Sequence, residues 1–396
     1  MKCLYRYLGK SMDLIDVPAG LRNVAVTDTT VGDVRGREGF YHYRQYSAIA
    51  LAQACSLEEV WYLLFFAELP TTAQLADFRA TIAPLRAIPE GLRAVLPGLV
   101  AAASPQAGAL DGLRTALSLF GAARGMAPWL DLDSDARVQD AMSLCAVVPS
   151  LLAAVHRLRA GEGIVDPDPA LGAAANYLYM MNGEAPDPST TSAIEHYLIS
   201  TIDHGFNAST FAARVIAGTG ADLAACVVGA IGALSGPLHG GAPSRALDAL
   251  DEIGSPDRAA GWVTKRVAAN ELIMGFGHAV YRTEDPRSAM LKGIALKLGG
   301  ERVASAIETE REIVTTLNKL KPGREINTNV EFYAGIVMER CGVPAAMFTP
   351  TFAASRVIGW CVNILEQAGE NKIIRPAARY VGPPPPQAVP PISERG

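Results

Sequence analysis

Apolar residues recur at three- and four-residue spacing through long stretches of the chain: Leu57, Val60, Trp61, Leu64 and Phe65, then Leu110, Leu113, Leu117 and Phe120, then Leu144, Val147, Leu151, Ala154 and Val155. That is the period of a helix with one buried face, and strand-like alternation is scarce, so the pattern predicts an all-α fold. Prolines punctuate it at Glu68-Leu69-Pro70-Thr71, Asp166-Pro167-Asp168-Pro169, Ala185-Pro186-Asp187-Pro188, Ser255-Pro256-Asp257 and Lys321-Pro322-Gly323. Proline disfavours helical geometry in the residue before it, so helices stop or start at these places. Thr71 and Ser189 stand where helix N-caps are useful.

Two segments depart from this pattern. Residues 20–46 carry Val24, Val26, Thr27, Thr29, Thr30 and Val31, then Phe40, Tyr41, Tyr43 and Tyr46 around Gly36 and Gly39, which suits a small β-hairpin or an irregular arm. Residues 383–391 are proline-rich, and 383–396 read as a disordered or extended tail. The longest apolar run, Leu223 to Leu234, falls short of the roughly 18 residues of a membrane span and reads as a buried helix. No membrane association is expected.

With 396 residues the chain is long enough for two domains, one of them inserted in the other. Its 35 Lys and Arg are mixed among 40 Asp and Glu, for a net charge of -5, and leave no electrostatic footprint for nucleic acid. An anion must therefore be gripped by a few placed arginines. Met1 to Lys10 has no apolar core of signal-peptide length. The six cysteines, Cys3, Cys55, Cys145, Cys226, Cys341 and Cys361, form no CxxC pair and read as reduced residues of a cytoplasmic protein.

The chemistry gathers at three histidines set among glycines: Asp203-His204-Gly205-Phe206-Asn207, Gly236-Pro237-Leu238-His239-Gly240-Gly241 and Gly275-Phe276-Gly277-His278-Ala279-Val280-Tyr281. Glycine lets backbone and ligand approach closely. His42, His156 and His196 lack that setting and read as structural. Without HExxH, His-x-His or a cysteine pair, a metal site is not expected. Gly9-Lys10-Ser11 has Leu4 where a phosphate loop needs glycine, Gly275-x-Gly277 is followed by Val280 where a dinucleotide fingerprint needs a small residue, and there is no serine-hydrolase elbow. Thr328-Asn329-Val330-Glu331 fits a capping box, yet a carboxylate at a helix start also suits a general base. Arg287 in Asp285-Pro286-Arg287, Arg356 in an apolar run and Arg375 before Pro376 lie outside surface charge runs and suit a dicarboxylate ligand.

In order and wording these segments, together with Asn329-Val330-Glu331-Phe332-Tyr333, resemble the citrate synthase family, in its short bacterial form, from about Gly20 to Pro383. The resemblance implies a two-domain helical fold, with a large domain at 1–240 and 343–396 and a small one at 241–342 closing over the site. It implies condensation of acetyl-CoA with oxaloacetate to citrate, with Glu331 as base, His239 on the thioester oxygen and His278 on the ketone. His204, Asn207, Arg287, Arg356 and Arg375 would hold oxaloacetate; Gly275, Phe276, Gly277 and Asn329 would touch CoA. A homodimer is implied, with Arg375 reaching the partner's site, and no metal or redox cofactor.

The chain departs from the family pattern at three places. Glu331 stands where aspartate is usual, Ala279 where many bacterial relatives have arginine, and Pro243 where asparagine is common. One methylene misplaces a base by about 1 Å, which can cost on the order of a hundredfold in rate. Two further readings follow: a 2-methylcitrate synthase using propionyl-CoA, and a weakly active or non-catalytic ligand-binding relative.

Overall fold

The computed structural model describes residues 14–240, 242–278, 280–323, 325–370 and 372–395, with backbone alone for 242–245. Met1 to Lys10, Cys3, Ala279 and the side chain of Pro243 fall outside that set. Residues Thr29–Ile373 form one compact unit, and the described residues of 1–28 and 374–396 form another. In the smaller unit Arg379 pairs with Asp16 at 2.8 Å, and 383–391 are exposed without regular structure.

The large unit opens on the expected hairpin. β1 (Gly32–Arg35) and β2 (Phe40–Tyr43) pair antiparallel, and β3 (Tyr46–Ser47) lies on the far side of β2. Alternation along β2 buries Tyr41 and Tyr43, whose hydroxyls donate to the carbonyls of Ser200 and Ile199, each at 2.9 Å. The hairpin is thereby fastened to the chain just ahead of His204.

The helices follow the apolar periodicity. α1 (Ala48–Ala54), α2 (Leu57–Phe66) and α3 (Thr72–Ile82) precede α4 (Glu90–Ala102) and α5 (Ala109–Ala123). Thr71 caps α3 as expected, accepting from the Gln74 N–H at 3.3 Å. α6 (Ser134–Arg159) is apolar and long enough by composition to cross a membrane, but 78% of its most apolar window is buried among α5, α7 (Ala173–Asn182) and α16 (Phe348–Glu370). It is the core helix. α8 (Pro188–Thr201) is capped not by Ser189 but by Asp187, whose Oδ1 accepts from the N–H groups of Ser189 and Thr190 at 2.9 and 3.0 Å. Pro188 takes the first helical position, which needs no N–H, and moves the cap upstream.

α9 (Ala208–Ala217) packs on α10 (Leu223–Leu234), which coincides with the longest apolar run. α11 (Ala242–Ile253), α12 (Ala259–Ala268), α13 (Pro286–Leu298), α14 (Glu301–Leu320) and α15 (Val330–Arg340) follow. Ile253, Ala259, Val263, Ile273, Ile313 and Leu317 form an apolar cluster of their own, separate from the main core. The described cysteines are free thiols, Cys55 part-buried and the others buried.

Candidate active site

Gly359 sets the geometry on one side. A Cβ there would stand 2.0 Å from the Ile202 carbonyl oxygen, so only glycine lets α16 lie directly on the chain that leads to His204. One turn earlier on α16, buried Arg356 donates from Nε to the Thr201 carbonyl at 2.8 Å and packs its guanidinium over Phe352 at 4.5 Å. Among the described residues no carboxylate lies within ion-pair distance of Arg356. The buried Asp203 carboxylate offsets part of the Arg356 charge without touching it, and an anionic ligand would offset more of the cost of burying that cation.

Facing it is an aromatic and cationic cluster. Nε2 of His204 lies 2.9 Å from the Tyr281 hydroxyl, and its ring centroid is 5.8 Å from that of His278. Asp285, the N-cap of α13, grips Arg287 at both Nε (3.0 Å) and Nη2 (2.8 Å). Burial would raise the Asp285 carboxyl, but Arg287 overrides it and holds it below its ordinary value. The second oxygen of Asp285 also accepts the Val330 N–H at 3.2 Å, tying Arg287 to the first turn of α15.

His278 has its tautomer fixed by backbone. Nδ1 accepts the N–H groups of Val280 and Tyr281 at 2.9 and 3.1 Å, so the proton of the neutral ring resides on Nε2. Burial, with Arg287 adding, pulls its pKa down to about 4, so the ring is neutral at physiological pH. His239 is fixed similarly: Nε2 accepts the Ser209 N–H at 3.3 Å at the start of α9, leaving Nδ1 as the donor. Burial and then Arg356 bring it down to about 4. The Ser209 hydroxyl is 2.8 Å from both this Nε2 and Asn207 Oδ1, and it accepts the Trp360 indole N–H at 3.1 Å. Asn207 caps α9, accepting from the Thr210 N–H at 3.1 Å.

Glu331 stands at the second position of α15. The cap is Asn329, whose Oδ1 accepts the Glu331 N–H at 3.1 Å, whereas the Thr328 hydroxyl donates to Glu310. The expected Thr328–Glu331 capping box is therefore absent, and the Glu331 carboxylate accepts no hydrogen bond from the described residues. Burial pushes its pKa up to about 7, with Asp285 adding and Arg287 opposing. A near-neutral carboxyl without a structural partner is what a general base requires. Asn329 also donates from Nδ2 to the Gly277 carbonyl at 2.9 Å and from its N–H to the Gly275 carbonyl at 2.9 Å, while Phe276 bridges to Thr328. Gly275 and Gly277 take φ of +86° and +78°, which favour glycine.

Thus His204, Asn207, His239, His278, Arg287, Glu331 and Arg356 share one connected set of contacts and charges, and Gly275, Phe276, Gly277 and Asn329 form one strip beside Glu331. Arg375 is exposed and belongs to the smaller unit. Among the described residues no group of three His, Cys, Asp or Glu is placed to hold a metal. His42 and His196 turn Nδ1 onto the backbone carbonyls of Arg44 and Ser192, as structural histidines do. Sequence reasoning missed Tyr281, Asp285 and Ser209 as parts of the site. Tyr281 and Asp285 lay inside motifs already singled out; nothing local marks Ser209.

The fold and site define a predominantly helical protein that brings together two neutral imidazoles, a near-neutral carboxyl and two buried arginines. The family model for the citrate synthase C-terminal domain matches residues 20–377. Citrate synthase of Deinococcus radiodurans is 35% identical over 371 residues, covering 93% of this chain and 96% of that protein. The 2-methylcitrate synthase of Mycobacterium tuberculosis is 37% identical over 370 residues, covering 93% and 91%. Among solved structures, the ternary complex of Thermoplasma acidophilum citrate synthase with carboxymethyl coenzyme A and oxaloacetate superposes with a TM-score of 0.87 at 28% identity, covering 96% of this chain and 100% of that one. The chain belongs to the citrate synthase family.

Proposed function

We propose that this enzyme condenses acetyl-CoA with oxaloacetate to give citrate and CoA. The observation that carries the reading is the disposition of protons: an unpartnered carboxyl with a pKa near 7, and two neutral imidazoles whose backbone partners leave one N–H each to donate. Glu331 removes a proton from the methyl group of the thioester. His239 Nδ1–H meets the thioester oxygen as negative charge develops there, and His278 Nε2–H polarises the ketone that the new carbon centre attacks. Arg356, Arg287 and His204 hold the carboxylates, with Asn207 ordering the turn between His204 and α9. Water then cleaves the thioester, releasing CoA and the carboxylate.

No step of this scheme calls on a metal or redox group. We further infer that 241–342, which carries the separate apolar cluster, is the closing element, and that a cytoplasmic homodimer is the working form, with Arg375 serving the partner's site. Propionyl-CoA is the second reading, supported by relatives named 2-methylcitrate synthase at 37% and 36% identity; one methylene is worth only about 1–3 kcal/mol of discrimination. No observation supports a non-catalytic role. Thiol release by the purified protein with oxaloacetate and each acyl-CoA tests the proposal: faster turnover with acetyl-CoA is expected, a preference for propionyl-CoA transfers the assignment to 2-methylcitrate, and no release with either overturns it.

A further inference from the structure

We propose that Glu310 on α14 is a positioning residue for Glu331, an inference that rests on Glu331 being the base. Glu310 is largely buried and receives three side-chain hydrogen bonds: from the Thr328 hydroxyl at 2.5 Å, from the Tyr333 hydroxyl at 2.5 Å and from Lys292 Nζ of α13 at 2.6 Å. Lys292 Nζ also stands 5.6 Å from the centre of the Tyr333 ring. Thr328 immediately precedes the cap Asn329, and Tyr333 lies two residues beyond Glu331. One carboxylate therefore fastens both flanks of the turn that carries the base.

The direction of the pull follows from helix geometry. Residues two apart are separated by about 200° around the axis, so drawing Tyr333 onto α14 turns Glu331 to the opposite side, where Arg287 and Asp285 act on its charge. At the start of the same turn the Val330 N–H is held by Asp285. Glu310 and Asp285 thus hold the first turn of α15 at separate points. Hydrogen bonds to a charged group are the strong kind, and this one accepts three. Glu310 touches no reacting atom; it acts through the placement of Glu331.

The fold tolerates the test. Glu310 lines an open cavity of about 350 Å³ together with Glu284, Lys292, Arg311 and Thr328, so water can replace a truncated carboxylate. Glu310→Ala, Glu310→Gln, Tyr333→Phe and Glu331→Gln are compared in the purified enzyme by steady-state kinetics, by oxaloacetate titration calorimetry and by the isotope effect with methyl-deuterated acetyl-CoA. Glu310→Ala is expected to lower kcat about tenfold or more, since small displacements of a base cost heavily. Oxaloacetate Kd should stay within about twofold of wild type, because Arg356 and His204 are not part of the clamp, and the isotope effect should rise as proton removal becomes slower; these expectations rest on the cost of base misplacement alone. Glu310→Gln, which keeps an acceptor oxygen, should recover part of the loss, and Tyr333→Phe should reproduce part of it. Unchanged kcat in Glu310→Ala, or a loss of oxaloacetate affinity that parallels the loss of kcat, overturns the proposal while leaving Glu331 as base. Full turnover in Glu331→Gln overturns that reading and the positioning role with it.

Discussion

Nη2 of Arg287 stands 3.4 Å from Nε2 of His278, and each presents a proton to the other. The guanidinium can only donate, and the imidazole has already committed Nδ1 as acceptor to Val280 and Tyr281. Two donors face to face are unsatisfied until an acceptor comes between or beside them, and an oxo-acid brings both a carboxylate and a carbonyl oxygen. His278→Ala is therefore expected to cut kcat by about 10²–10³-fold, the range seen for lost oxyanion-type donors. Steady-state thiol release measures it; wild-type turnover would dismiss the mechanism.

Glu331 separates catalysis from capping. Glu331→Gln preserves size and leaves the Asn329 cap intact, so melting temperature should stay close to wild type while turnover falls by about 10²–10⁴-fold, the usual contribution of a general base. Glu331→Asp keeps a carboxylate, shortens its reach by one methylene and is expected to retain measurable activity. Rate and thermal melt recorded on the same preparations decide the matter: an active, stable Gln variant ends the case for this base.

The pH dependence carries a sign. The Glu331 pKa is raised by burial to about 7, and only the deprotonated form can accept the methyl proton. His239 and His278 lie near 4 and stay neutral through the same range. The ratio kcat/KM should therefore climb about tenfold per pH unit below 7 and level off above it. Linkage runs the other way for stability: the folded state holds this proton more tightly than the unfolded chain, so the contribution is complete below the ordinary carboxylate pKa and is lost as pH rises through about 7. A profile with its acid limb near the ordinary carboxylate value would contradict the burial argument.

Arg356 should reveal itself in ligand-dependent stability. Replacing this buried cation in Arg356→Met removes its burial cost along with one hydrogen bond to Thr201 and the attraction of buried Asp203, terms that oppose one another. The unliganded protein should melt within a few degrees of wild type, whereas the upward shift caused by oxaloacetate should vanish as Kd rises by about thirtyfold or more. Thermal shift with and without the oxo-acid reads both effects. A retained ligand shift would move the anion site elsewhere.

Arg375 calls for complementation. If Arg375 serves the partner's site in a homodimer, chains carrying Arg375→Ala and chains carrying His278→Ala, each inactive alone, are expected to regain partial activity when refolded together, because a mixed dimer would then assemble one site with neither lesion. Mixed dimers without any recovery would argue against a shared site.

Much of this was legible in the chain because helices and glycine turns are local. The periodic segments became α2, α5 and α6, and the apolar run at 223–234 became α10 residue for residue. Yet Pro149 lies inside the 26-residue α6, where proline would ordinarily end a helix; packing on α5, α7 and α16 outweighs the local penalty. The site histidines and arginines stood out by their glycine and proline settings. What sequence could not show was long-range: that Trp360 reaches Ser209, that Asp285 reaches Val330, or that Thr328 turns away from the helix it precedes to serve Glu310.

Gly359 has a consequence for how the molecule can diversify. Backbone meets backbone where α16 crosses Ile202, and no rotamer change can relax such a contact. The part of the structure that carries Arg356 and leads to His204 is in that sense cast, its dimensions inherited unchanged by any variant that keeps the glycine. The side chains of α15, by contrast, can be exchanged one at a time. On the proposed reaction, new acyl substrates should therefore arise through those side chains, with the four-carbon partner held constant.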